Sequence, residues 1–66
     1  MQDYQQRVIG EHAELNAKLT KLIDFFDTET FALLPVTEKR RLEQQMVAME
    51  LYERALSSRI LAFREA

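Results

Sequence analysis

The sequence predicts an all-α protein: an antiparallel two-helix hairpin with a short helical turn at its connection, assembling into a helical homo-oligomer. Three observations predict it. Apolar residues recur every three or four positions over two long stretches, a lone proline, Pro35, separates the stretches, and each carries a second apolar stripe that one hairpin cannot bury. One seam runs Val8, His12, Leu15, Leu19, Leu22 and Phe26; the other runs Leu42, Met46, Met49, Tyr52, Leu56, Ile60 and Phe63.

The first helix is expected over residues 3–26, with Asp3 capping its start and Glu14 four residues before Lys18, where a surface ion pair would support the turn. Gly10 lies inside it and is about 1 kcal/mol less favourable there than alanine. It marks either a close backbone approach or a tolerated imperfection. Residues 27–37 form the connection: Asp27 and Thr28 end the helix, and residues 29–33 make one further turn that tucks Phe31 and Leu34 against the open corner. Pro35 then forces its predecessor away from helical dihedrals. Thr37 is expected to cap the second helix over residues 38–64, and the short connection makes the pair antiparallel. The whole chain, 1–66, reads as a single domain.

The second stripes are Ile9, Ala13, Ala17 and Thr20 on the first helix and Val47, Leu51, Ala55, Ser58 and Ala62 on the second. Small residues at these spacings admit another helix closely, and self-association is the economical way to cover them. Size points the same way, because a single core of 66 residues supplies no more than about 3–5 kcal/mol without staples. With no cysteine there is no disulfide or thiolate site, and one histidine among scattered carboxylates is not a zinc constellation. No metal or cofactor is expected.

Nine basic and eleven acidic residues leave a net charge of −2, so no chain-wide field draws the protein to long nucleic acid or an anionic membrane. No apolar run approaches the ~18 residues of a membrane span, and Met1 leads into polar residues rather than a signal peptide. A cytoplasmic location is expected.

No nucleophile and base pair stands out, and enzymatic activity is not expected. His12 falls in the seam, where a packed or interface histidine with satisfied nitrogens is the ordinary outcome. Glu11, Glu14, Glu43, Glu50 and Glu53 belong mostly on solvated faces, and the Glu-x-x-His spacing of a di-iron bundle is missing. The cations say more. Arg7, Lys18 and Lys21 are those of the first helix, and the Thr20 hydroxyl shares the stretch of Lys18. Lys39, Arg40 and Arg41 open the second helix, where the macrodipole disfavours them, and they form either a solvated cluster or a phosphate-attracting patch. Arg59 adjoins the seam at Ile60 and can reach across an oligomer interface, where its fork suits phosphate or carboxylate. Tyr4 is either a seam-end aromatic or an exposed platform on which a nucleobase stacks.

Four motifs carry a family likeness: Tyr-x-x-Arg-Val from Tyr4, Glu-Leu-x-x-Lys-x-x-Lys-Leu from Glu14, Phe-x-x-Leu-Pro from Phe31, and Leu-x-x-Gln-x-x-x-Met from Leu42. With them, nearly the whole chain resembles the short phage proteins of the anti-CBASS sponge family, which share a hairpin domain with a Thoeris anti-defence sponge. The resemblance implies a non-enzymatic trap in the cytoplasm of the host cell. Hexamers would bind cyclic di- or trinucleotide messengers of bacterial immunity at protomer interfaces and keep them from their effectors. It further implies that Tyr4 stacks on a base and Lys18 contacts phosphate for cyclic dinucleotides, with Arg7 and Lys21 in reserve. Thr20 and Arg59 would serve separate cyclic trinucleotide pockets. The alternative is a helical interaction module whose second stripe, with Val47 and Leu51, docks on a phage or host protein.

Overall fold

The computed structural model describes residues 2–65, with side chains through residue 64. It holds three helices, α1 (Asp3–Phe25), α2 (Glu29–Ala32) and α3 (Val36–Glu65), and α1 packs along α3. Both starts differ from the expected caps. Gln2, in extended conformation, precedes α1, and its N–H donates to Gln5 Oε1 at 2.9 Å, while Asp3 is already the first helical residue and its carboxylate suits the positive end of the helix dipole. Helix α3 begins two residues before Glu38, because the Pro35 carbonyl accepts from the Lys39 N–H at 3.0 Å. Proline, with no N–H to leave unpaired, opens the helix, and Thr37 lies within the first turn.

The connection is held by one hydroxyl and one aromatic knot. Thr28 Oγ1 donates to the Phe25 carbonyl at 2.6 Å and accepts from the Phe31 N–H at 3.2 Å, so it closes α1 and opens α2 together. Phe31 meets Phe25 edge-on at 6.0 Å and Phe26 at 4.7 Å, and the Lys39 ammonium sits 5.7 Å from its ring centre. Leu34 is half-buried beside them, whereas Leu33 is exposed.

Between the long helices the core is thin: Val8, Leu15, Leu19 and Leu56 are buried, with Met49, Ile60 and Phe63 packed around them. Tyr52 is not in the seam. It is 44 % exposed, and Glu53 takes the inward position instead. The reason lies across the interface. His12 Nε2 is 3.1 Å from Glu53 Oε1 and 2.9 Å from Ser57 Oγ, while the Ser57 hydroxyl donates to the same carboxylate oxygen at 2.9 Å. With the proton on Nε2, its one N–H is shared between Glu53 Oε1 and Ser57 Oγ. An inward tyrosine in place of Glu53 would have left the imidazole with Ser57 alone across the interface, and would have lost the carboxylate that both groups bond.

The hairpin is a rod of 48 × 15 × 15 Å with a radius of gyration of 15.1 Å, against about 11 Å for a compact chain of this length. Its accessible surface is 5198 Å², while a globular monomer of 7.8 kDa exposes about 4,400 Å². The excess, about 800 Å², equals one partner's share of a standard protein interface. On the outer face of α3, Val47 and Leu51 are 51 % and 58 % exposed, and Ala55, Ser58 and Ala62 are exposed with them. Among the described residues no helix is long and apolar enough to cross a membrane.

Two predictions follow from the packing of α1. A Cβ built on Gly10 meets nothing within 4 Å, so the close-approach reading does not hold within the hairpin. Gly10→Ala is expected to stabilise it by about 1 kcal/mol, read as a higher midpoint of thermal unfolding by circular dichroism; a lower midpoint would contradict the packing. The bonds from His12, then Ser57, hold the Glu53 carboxyl below its ordinary pKa. Its contribution is therefore complete above about pH 4.3 and fades as pH falls through the lower folded value. The wild type should lose more thermal stability between about pH 4.5 and pH 3 than Glu53→Gln does; parallel pH profiles would refute this role for the carboxylate.

Candidate functional site

Each residue along a helix turns the chain by about 100°, so the residue after a seam position and the residue before it emerge on opposite flanks. Residues that follow seam positions line a half-open groove of about 780 Å³: Ile9 after Val8, Ser57 after Leu56, Leu61 after Ile60 and Arg64 after Phe63, with Gln5 and the seam residues His12, Ile60 and Phe63. Its walls are mainly apolar. No spacing of charged residues announces this groove, and only the rule of following residues could have revealed it.

The residues that precede seam positions form the other flank. On α1 they are Arg7, Glu11, Glu14, Lys18 and Lys21, and on α3 they include Arg41, Tyr52 and Arg59. Five of the nine basic residues thus share one side of the rod. Among the described residues the ion pairs are His12 with Glu53 and Arg41 with Glu38, so Arg7, Lys18, Lys21 and Arg59 are exposed and unpaired. The Glu14 to Lys18 pair expected from spacing is not formed. Nor do Lys39, Arg40 and Arg41 make one cationic patch. Lys39 lies over Phe31, Arg41 reaches Glu38 at 3.3 Å, and Arg40 lines a shallow surface with Val47 and Leu51.

Levels along the rod are fixed by two cross-helix contacts: His12 against Glu53 and Ser57, and Tyr4 against Phe63 with rings edge-on at 5.7 Å. Arg59 accordingly lies level with residue 8, next to Arg7. Tyr4, 54 % exposed, is fourteen residues or about 21 Å along α1 from Lys18. Thr20 emerges on the groove flank, opposite Lys18, and about 18 Å along the rod from the level of Arg59. One hairpin therefore cannot bring Tyr4 to Lys18, or Thr20 to Arg59, around one small molecule. Either pair would have to come from different protomers.

Serine, histidine and glutamate in contact also invite comparison with a nucleophilic triad. Such a triad sets the acid on one imidazole nitrogen and the serine on the other, so that the ring takes the serine proton. Here both partners sit on Nε2 and the Ser57 proton points to the carboxylate. This geometry ties two helices together and is not the serine, imidazole and acid order of such a triad. Among the described residues there is also no cluster of three His, Cys, Asp or Glu side chains fit to hold a metal ion.

No curated protein and no solved structure matches the chain significantly. A family model does: that of Sequestin, over residues 2–62, which takes in the first seam, the second as far as Ile60, the His12 triangle and the cationic flank. By that match over nearly its full length, this chain belongs to the Sequestin family.

Proposed function

We propose that this protein is a phage anti-defence sponge that binds cyclic oligonucleotide second messengers at protomer interfaces and withholds them from their effectors, without transforming them. The carrying observation is the flank on which Arg7, Lys18, Lys21 and Arg59 stand exposed and unpaired while the chain's net charge is −2. Phosphodiesters are the ligands that converging guanidinium and ammonium groups recognise best. Membership of a family named for sequestration supports the reading, as does the resemblance to anti-CBASS proteins carried by the motifs around Tyr4, Lys18, Phe31 and Met49.

Assembly is part of the proposal. A rod with Val47 and Leu51 exposed on one face gains by association, and association is what would set Tyr4 of one copy near Lys18 of another. Tight capture needs slow release more than it needs chemistry. A second reading is favoured by one observation, the exposed stripe through Val47 and Leu51: that a helix of another protein docks there. Under that reading Lys18 is irrelevant.

Isothermal titration with a panel of cyclic di- and trinucleotides decides between them. At least one member should bind, and Lys18→Ala should weaken it by about 10- to 150-fold, the range of a charge-assisted hydrogen bond of about 1.5–3 kcal/mol. Absence of heat with every member at high micromolar concentration would reject sequestration of these messengers.

A further inference from the structure

We infer that Tyr52 is an aromatic platform of the Lys18 site, stacking on a base of the ligand whose phosphate Lys18 holds; the inference rests on the function proposed above. Tyr52 reads from its sequence position as a seam residue, yet the structure turns it out. Glu53 occupies the inward position, facing His12, and the ring one residue earlier is rotated by about 100° onto the flank of Lys18. The same register sets Tyr52 level with residue 15, three residues or about 4.5 Å along the rod from Lys18.

The ring is 44 % exposed, and among the described residues it has no aromatic partner and its hydroxyl has no hydrogen bond. Tyr4, although 54 % exposed, has its ring engaged edge-on with Phe63 and is about 21 Å from Lys18 in the same chain. Tyr52 is thus the aromatic that a single protomer presents together with Lys18. Neighbours favour it too, since Ala48 and Ala55, one turn to either side on α3, are small and leave the face of the ring open to a planar group. A base against this face and a phosphodiester at the ammonium is the combination by which nucleotides are held without base-specific readout.

The test uses the full chain and the cyclic dinucleotide that the wild type binds most tightly among cyclic di-adenylate, cyclic di-guanylate and the mixed species. Tyr52→Leu keeps bulk and removes the π face, and should weaken binding by about 5- to 150-fold. Tyr52→Phe keeps the face and should bind within about twofold of wild type. Proton spectra of the tyrosine rings, assigned by difference with Tyr52→Phe, should show upfield shifts of the Tyr52 signals on saturation with ligand, a readout that holds even if Tyr52→Leu folds poorly. Wild-type affinity in Tyr52→Leu, or unmoved Tyr52 signals, while Lys18→Ala abolishes binding, would overturn the inference and leave the sponge reading standing. Failure of the wild type to bind any cyclic dinucleotide would overturn the inference whether or not cyclic trinucleotides bind.

Discussion

Two antiparallel helices can each hide only one face from water, and every other feature of this chain is arranged around that limit. The buried layer is four side chains deep along the rod, Val8, Leu15, Leu19 and Leu56, with half-buried neighbours at its edges. Conformational entropy of about 1–2 kcal/mol per ordered residue opposes folding, and so thin a core offsets it with little to spare. The outer stripe of α3 is the reserve. Covering Val47 and Leu51 against a second copy would remove exposed apolar surface from water, and folding and assembly would then be linked by mass action.

Within that limit the His12 triangle determines which residues face where. Apolar contacts along a seam tolerate sliding, because one leucine serves nearly as well as the next. The imidazole does not. A slip of one turn would keep only one of Glu53 and Ser57 within reach, and a slip of two would set His12 against methionines or against Ile60 and Phe63. A polar contact satisfied in one register only is a known means of fixing helix pairing at modest cost in stability. Once the register is fixed, so are the flanks: one becomes a groove with apolar walls, the other carries Arg7, Lys18, Lys21 and Arg59 unpaired, with Tyr52, Glu11 and Glu14 among them.

Much of this was legible in the sequence, and the misreadings have particular causes. The seam was correct at Val8, Leu15, Leu19 and Leu56 because leucine and valine at helical spacing have few alternatives. It failed at Tyr52, where periodicity prefers the more apolar residue and has no knowledge that a histidine lies opposite. Thr37 was preferred as a cap for its hydroxyl, although Pro35 starts a helix equally well when its carbonyl is used. The pairing of Glu14 with Lys18 was inferred from separation alone, and separation does not hold an exposed lysine in place. The basic residues were identifiable one by one, but their common flank was not, since handedness about the seam appears only when the seam is known residue by residue. That Tyr4 and Lys18 lie far apart along α1 follows from helix rise alone and points to more than one copy in any site they share.

The proposed function requires the hairpin to associate with further copies of itself, which would cover its outer stripe. Sedimentation velocity of the purified full chain across a range of low to high micromolar concentration tests this most directly, with helicity followed by circular dichroism on the same samples. A compact oligomer that retains full helicity, and loses helicity when diluted to dissociation, is the predicted result. A monomer with the frictional ratio of a 48 Å rod and undiminished helicity at every concentration would contradict it.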